Sequence, residues 1–385
     1  MACWLPILAI CISALNTPAV LAQAPAQGEQ VTTPASDVTT AIRERIAAAF
    51  AEQGLVGLSA GIVREGRITA TMHLGFEDRE RGIAMSDLSL IRWASISKPV
   101  TAIAAMQLVE QGRLDLDRDV RDYVAEFPDK QQIITSRHLL CHQGGVVHYT
   151  NGPVIRTRRT YDSPNPFEDV VLALDAFKDS PLVCEPGEKY SYTTHGYMLL
   201  AAVVERAGDA PFIEQVRARI TEPMSLATVQ PDYEWRPAEH RAVGYRRAAN
   251  GEVRPTGSDD VSWKLGGGGF ISTVGDMAGF AASLARRDPR LLSEESFDAM
   301  WTPQATRDGT MTSYGLGFSI GRVPGTDLLM IGHSGSQQKA RTHMLVSPTT
   351  GDAVVLMSNS EWASLGGLAN ATLRMIVAES LSTAK

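Results

Sequence analysis

Apolar side chains recur at four-residue steps along the first part of the chain. From Asp37 onward, one stripe comprises Val38, Ile42, Ile46 and Phe50. This spacing predicts an amphipathic helix, because residues four apart lie on the same helix face. Two strand-like apolar runs follow at 58–63 and 67–74, and Arg64-Glu65-Gly66 separates them. Two such runs joined by a short glycine-containing turn predict a β-hairpin.

A second helical pattern runs from about Ser97 to Gln111 and stops at Gly112, a residue type that commonly terminates helices. The stretch from about 115 to 219 is predicted to be mostly helical and loop-like. Strand-like runs return at 314–320, 328–331, 341–346 and 353–358, and a closing helix is predicted over 363–381. Strands at both ends with helices between them predict an α+β fold, an α/β sandwich whose sheet is completed by distant segments.

The composition is typical of a globular protein of enzyme size. Of the 385 residues, 44% are hydrophobic and 21% are charged, close to the usual averages, and the length allows one large or two modest domains. The net charge is −7, and the dense basic cluster comprises Arg156, Arg158 and Arg159. Nucleic-acid binding depends on neutralising phosphates, so this charge balance argues against a nucleic-acid partner.

The first 24 residues carry no charged side chain. The apolar run 5–15 is too short to span a bilayer, and the small-x-small pattern Ala22-Gln23-Ala24 follows it. We therefore predict a signal peptide over 1–24, a flexible leader over 25–36 and an exported protein, periplasmic or secreted. The alternative is an apolar N-terminal arm, since the segment lacks Lys and Arg. No other segment predicts a membrane span.

Removal of such a signal peptide would leave Cys141 and Cys184. Two cysteines in an oxidising compartment can pair, and both segments are expected to lead into the same site. Two separate buried thiols are the alternative, because the sequence gives no distance between them.

The segment Gly57-Leu58-Ser59-Ala60-Gly61 matches the GxSxG pattern of α/β-hydrolases. In those enzymes the serine stands on a sharp turn between a strand and a helix. Here another strand-like run follows, so Ser59 is predicted to be an ordinary strand residue. An esterase built on Ser59 is kept as an alternative.

A second serine pattern is Ser95-Ile96-Ser97-Lys98, an SxxK. The spacing recurs at Ser336–Lys339 and Ser382–Lys385, but only Ser95 stands at the opening of a strong helix. There the unpaired backbone donors and the helix dipole favour negative charge on a substrate oxygen. A lysine three residues on lies on the same face, and when desolvated it can accept the serine proton.

Three further motifs accompany it in order: 190–200 with Glu185-Pro186-Gly187 ahead of it, the glycine-rich stretch 266–277, and Gly332-His333-Ser334-Gly335. Together with Ser95–Lys98, these resemble the serine β-lactamase and penicillin-binding protein superfamily. The similarity is greatest to the class C-like branch, which includes D-alanyl-D-alanine carboxypeptidases, esterases and a mitochondrial lactamase-like protease. The resemblance implies one catalytic domain over 37–385 with an antiparallel sheet flanked by helices.

The resemblance also implies roles for individual residues. Ser95 would be the nucleophile, Lys98 its partner, and Tyr192 the group that exchanges protons with Ser95 and the leaving group. The backbone N–H groups of Ser95 and Ser336 would form the oxyanion hole. The residues implied to bind substrate are Thr194, His333, Ser334 and Gly335.

Two positions depart from the class C pattern. Thr194 stands where the second motif usually has Asn, and His333 stands where the third motif usually has Lys. A histidine is only fractionally charged near neutral pH, so efficient β-lactam hydrolysis is in doubt. The charge of His333 is expected near pH ~6.5, the unperturbed value, displaced in a direction that the sequence does not reveal.

Other constellations are interpreted as structural. The spacing of His138, Cys141, His142 and His148 is compatible with metal ligands, but we expect no metal and no other cofactor. The glycine run 266–269 lacks a following GK[ST], and we expect a close backbone approach beside the site. The predicted activity is hydrolysis of an amide or ester through an acyl-enzyme on a small-molecule or peptide substrate. The alternative from another class is a penicillin-binding-type sensor or scaffold without turnover.

Overall fold

The structure is a computed structural model that describes residues 37–383. The predicted signal peptide (1–24) and leader (25–36) lie outside the described residues. No helix within 37–383 is both long enough and apolar enough to cross a membrane.

The N- and C-terminal segments share one antiparallel sheet. In chain order the strands are β1 (Gly57–Arg64), β2 (Arg67–Asp78), β3 (Ile83–Ala84), β4 (Ile91–Arg92), β5 (Gln230–Pro231), β6 (Tyr245–Arg247), β7 (Val253–Pro255), β8 (Phe270–Ser272), β9 (Ser319–Arg322), β10 (Leu329–Gln337), β11 (Ala340–Ser347) and β12 (Asp352–Ser358). The seven-stranded sheet has the order β3-β2-β1-β12-β11-β10-β9. Its centre is the pairing of β1 with β12, in which Leu58 lies opposite Ser358. The predicted hairpin and the predicted joining of distant segments are both confirmed.

Helices cover both faces of this sheet. In chain order they are α1 (Asp37–Gln53), α2 (Ser97–Glu110), α3 (Ser136–Leu140), α4 (Thr194–Gly208), α5 (Phe212–Val216), α6 (Leu265–Gly268), α7 (Val274–Ala285), α8 (Glu294–Met300) and α9 (Gly366–Thr383). On one face, Ile46 of α1 and Leu373 of α9 pack with Leu58. On the other face, Val355 packs in a core that includes Phe280 of α7. The result is a three-layer α+β sandwich, as predicted.

Two regions differ in detail from the sequence prediction. The run 314–320 is not one strand: Gly317 has φ 94, a left-handed conformation that interrupts an extended chain, and β9 begins only at Ser319. The middle region contains helices and loops, as expected, but loops make up more of it. Between α3 and α4, regular structure is limited to short 3-10 turns at Pro166–Glu168 and Leu172–Ala176.

The two cysteines within the described residues are free thiols. The Cys141 thiol donates a hydrogen bond to the carbonyl oxygen of Arg137 at 3.1 Å, and burial raises the pKa of this thiol to about 12. Of the two alternatives that the sequence left open, the structure has separate thiols.

Candidate active site

Ser95 lies in a 3-10 turn, Ala94–Ile96, that leads directly into α2. Ala94 has φ 49, and a left-handed conformation costs a residue with a Cβ about 1–2 kcal/mol. The preceding residue holds the turn in place, because the Trp93 indole N–H donates to Ser272 Oγ at 2.7 Å. Tertiary contacts therefore maintain a strained turn that presents Ser95 at the start of the helix.

Three side chains from two distant segments meet at this point. Lys98 Nζ lies 3.0 Å from Ser95 Oγ, and the Tyr192 hydroxyl donates to Ser95 Oγ at 2.8 Å. The structure thus brings together the serine, lysine and tyrosine to which the resemblance assigns the chemistry.

Lys98 is buried, and within residues 37–383 its Nζ has no carboxylate as hydrogen-bond partner. Its side chain is 0% exposed, its Nζ donates to the carbonyl oxygen of Gly267 at 2.6 Å, and Thr194 Oγ1 lies 3.4 Å away. Desolvation, reinforced by the positive charge of Lys264, lowers the pKa of Lys98 well below its usual value. A neutral amine with a lone pair can accept a proton, whereas an ammonium cannot.

Tyr192 remains a phenol in the resting site. Burial raises the pKa of its hydroxyl above the ordinary value, and the hydrogen bond with Ser95 opposes that rise only in part. The ring lies 4.9 Å from Lys98 Nζ. A protonated hydroxyl beside a neutral amine is suited to passing a proton between Ser95 and a leaving group.

The third motif lies on β10 beside the Ser95 turn. Gly335 packs against that turn so closely that a Cβ on it would lie 2.5 Å from the carbonyl oxygen of Trp93. β9 pairs with β10 only from Leu329 to Gly332, so β9 leaves the following residues of β10 uncovered. Ser334 and Ser336 line the same cleft as Ser95, which puts Ser336 in the region that the oxyanion-hole assignment requires.

His333 does not offer the positive charge considered from the sequence. Because a carbonyl oxygen only accepts, His333 Nδ1 must donate to the Ser334 oxygen at 2.7 Å, and its Nε2 then accepts from the Tyr314 hydroxyl at 3.0 Å. Burial lowers the pKa of His333 to about 3. The charge expected near pH 6.5 is therefore displaced far downward, and His333 is neutral in the physiological range.

Thr194, the second position that departs from the class C pattern, lies beside Lys98. It is buried at the first position of α4 and faces Lys98 Nζ rather than the open cleft. Its contact is with Lys98, and contact of Thr194 with a substrate stays a prediction.

Comparisons with known proteins agree with this geometry. The sequence profile of the Beta-lactamase family matches residues 42–377. The chain belongs to the beta-lactamase family. Among curated members, it is 28% identical to the human serine beta-lactamase-like protein LACTB, mitochondrial, over 66% of this chain and 60% of that protein. It is 26% identical to esterase EstB of Burkholderia gladioli, over 85% of this chain and 91% of the esterase. The chain thus spans about three fifths of the length of its mitochondrial relatives.

Solved structures of other proteins share the fold. An octameric penicillin-binding protein homologue from Pyrococcus abyssi superposes with a TM-score of 0.73 at 23% identity, over 91% of this chain and 78% of that one. The D-amino acid amidase of Ochrobactrum anthropi SV3, complexed with L-phenylalanine amide, superposes with a TM-score of 0.72 at 24% identity. The superposition covers 91% of this chain and 99% of the amidase.

The cleft around Ser95 is aromatic and carries no formally charged lining residue among those described. Its volume is about 380 Å³, and its lining comprises Ser95, His148, Tyr149, Tyr190, Tyr192, Tyr314, Ser319, His333, Ser334 and Ser336. The sequence interpretation did not assign His148, Tyr149, Tyr190, Tyr314 or Ser319 to the site. Tyr190 belonged to a quoted motif, but Tyr314 lies in an irregular segment with no pattern that would have identified it.

The glycine run has the role expected from the sequence. A Cβ on Gly267 would lie 2.7 Å from Thr194 Cγ2, and the Gly267 carbonyl accepts from Lys98. The backbone approaches the site closely there because no side chain intervenes.

Ser59 lies inside β1, which runs into the hairpin with β2 rather than into a helix. The α/β-hydrolase alternative is therefore wrong. Ser59 Oγ does lie 3.0 Å from His73 Nδ1, and His73 Nε2 lies 2.8 Å from Asp87 Oδ1. Ser59 is 1% exposed, however, so a substrate cannot reach this chain of side chains.

The histidines considered as metal ligands accept hydrogen bonds from backbone N–H groups. Within residues 37–383, the His, Cys, Asp and Glu side chains form no cluster of three or more that could hold a metal ion. His138 Nδ1 accepts from the Thr135 N–H in a helix cap, while His142 and His148 accept backbone N–H groups of the segment that carries Tyr192.

Proposed function

We propose that this protein is a serine hydrolase that forms an acyl-enzyme on Ser95 and cleaves an amide or an ester. The observation that carries the proposal is the position of Ser95 Oγ, which lies 3.0 Å from Nζ of the buried Lys98 and 2.8 Å from the Tyr192 hydroxyl. Retention of the serine, lysine and tyrosine together argues against a scaffold that performs no chemistry, because a base beside the serine is needed for acylation. The test is covalent labelling by a fluorophosphonate probe, which should modify Ser95.

The proposed chemistry has two stages. The Tyr192 hydroxyl donates to Ser95 Oγ, so the serine hydrogen can point to the lone pair of Lys98. As Ser95 Oγ bonds to the carbonyl carbon, its proton passes to Lys98, and the backbone N–H groups of Ser95 and Ser336 stabilise the oxyanion. The leaving group departs with a proton relayed through Tyr192. Water then adds to the acyl carbon, gives a proton to the same relay, and releases the acid.

The cleft favours substrates without a carboxylate next to the scissile bond. A carboxylate would be desolvated among tyrosines with no fixed positive side chain in the lining, and His333 is neutral. Carboxylic esters and amides that lack a carboxylate next to the scissile bond, including those of D-amino acids, are therefore proposed ahead of β-lactams. An esterase and a D-amino acid amidase among the similar proteins support this order. A panel of p-nitrophenyl esters, D-amino acid amides, D-alanyl peptides and nitrocefin tests it.

The low pKa of His333 predicts how the preference between carboxylate-bearing and neutral substrates depends on pH. For wild type, the ratio of kcat/KM for a carboxylate-bearing substrate to that for a matched neutral ester should stay flat between pH 8 and 5, because the pKa of about 3 lies below this range. The substitution His333→Lys should raise the ratio by about 10-fold or more at neutral pH, since charge-assisted hydrogen bonds contribute about 1.5–3 kcal/mol. A wild-type ratio that climbs as the pH falls to 5 would show that His333 becomes charged.

Export remains part of the proposal. The uncharged apolar N-terminus motivates it, and N-terminal sequencing of the protein purified from its native host tests it. A mature N-terminus near residue 25 is expected, and an intact Met1 would contradict export.

A further inference from the structure

Two histidines hold the segment that carries Tyr192. The Thr193 N–H donates to His142 Nδ1 at 3.2 Å, and the Thr194 N–H donates to His148 Nδ1 at 3.1 Å. The same segment is also fixed by Ser191, whose N–H donates to the His142 carbonyl oxygen at 2.7 Å. Consecutive peptide N–H groups at the start of α4, which have no partner within the helix, are thus taken up by imidazole nitrogens.

The residues located by these bonds touch the reacting groups. Tyr192, whose hydroxyl donates to Ser95 Oγ, directly precedes the first of the two N–H groups. Thr194, which carries the second, faces Lys98 Nζ. A shift of the segment 192–194 would therefore both move the Tyr192 hydroxyl away from Ser95 and change the surroundings of Lys98.

Both histidines must be neutral to accept these bonds. A backbone N–H can only donate, so each Nδ1 is unprotonated and the ring proton is on Nε2. Burial lowers the pKa of His142 well below its usual value and lowers the pKa of His148 to about 4. His142 is 0% exposed, and its Nε2 has no hydrogen-bond partner among the described residues. Its hydrogen bonding to the site thus runs through Nδ1 and its backbone.

We infer that His142 and His148 are positioning residues, whose Nδ1 atoms fix Tyr192 and Thr194 at the distances that proton transfer requires. The inference rests on the proposed function. The inference excludes direct chemistry by His148, although the ring of His148 lines the cleft. It predicts that activity depends on a hydrogen-bond acceptor at the position of Nδ1.

Substitution of His148 by two amide side chains distinguishes a role of Nδ1 from a role of Nε2. Asparagine places its oxygen where Nδ1 stands, whereas glutamine extends its amide to the level of Nε2. We expect His148→Asn to keep kcat on a p-nitrophenyl ester within about three-fold of wild type, because the acceptor is retained. His148→Gln should lower kcat about 100-fold, the scale of a misplacement of about 1 Å, with KM changed much less.

The matched control is His138→Gln. His138 Nδ1 also accepts a backbone N–H, that of Thr135 at 3.3 Å, but it caps α3 and does not line the cleft. Its activity should stay within about two-fold of wild type. If His138→Gln loses as much activity as His148→Gln, the effect is a general loss of stability and the inference fails.

Other outcomes also decide the matter. If His148→Gln is active and His148→Asn is not, His148 acts on the substrate through Nε2 and the inference is overturned. If His148→Gln does not fold, His142→Asn and His142→Ala are compared instead, and equal kcat values for these two would overturn it. Fluorophosphonate labelling of wild-type Ser95 is scored separately, so failure of the proposed function is distinguishable from failure of the positioning role.

Discussion

Replacing Ser95 with alanine should reduce hydrolysis of the best substrate in the panel by at least about 10⁴-fold, because Ser95 Oγ is the hydroxyl that contacts both Lys98 Nζ and the Tyr192 hydroxyl. Fluorophosphonate labelling should be lost completely. The fold should be unaffected, since the change removes one oxygen at the cleft wall. Steady-state kinetics and intact-mass analysis of the labelled protein measure both effects.

The control for this experiment is Ser59→Ala. Ser59 has a serine–histidine–aspartate arrangement of its own, with His73 at 3.0 Å, but it is buried in β1. Ser59→Ala should retain both labelling and turnover. If Ser95→Ala keeps substantial activity and Ser59→Ala loses it, the nucleophile has been assigned to the wrong serine.

Replacing Lys98 with methionine should reduce turnover nearly as far as loss of Ser95, because residues that act as one proton-transfer unit are strongly non-additive. Methionine has a similar length and fits an apolar space, but it has no basic nitrogen. Lys130→Met is the matched control: Lys130 is also partly buried and donates to backbone carbonyls of Lys178 and Ser180, away from the cleft. It should leave turnover near the wild-type rate.

Lys98 should also leave a signature in the pH dependence of stability. Between its lowered native pKa and the unfolded value of ~10.4, the unfolded chain binds a proton that the native amine does not. The wild-type unfolding free energy should therefore rise with pH relative to that of Lys98→Met, by up to about 1.4 kcal/mol per pH unit. Denaturant unfolding at pH 7, 8 and 9 measures the difference. Parallel profiles for the two proteins would mean that native Lys98 is charged.

The helices and the hairpin were predictable because their signals are local. The stripe from Val38 to Phe50 predicted α1, and the turn at Gly66 predicted the hairpin between β1 and β2. The same local reading failed over 314–320, where Gly317 adopts a left-handed conformation that packs its backbone close to Ala102. That conformation depends on a partner 215 positions away in the chain, which periodicity cannot detect.

The sequence by itself predicted the alternation of strands and helices, because spacing and residue type are properties of the chain. Its resemblance to a known superfamily identified the candidate residues Ser95, Lys98 and Tyr192. Only the tertiary structure decided their ionisation. Folding lowers the pKa of Lys98 and of His333 because it removes water from both side chains, and among the described residues no carboxylate hydrogen-bonds to either in compensation. Desolvation is the sum of contacts from many segments, so the tyrosine-lined cleft and the histidines behind Tyr192 emerge only when those segments are packed together.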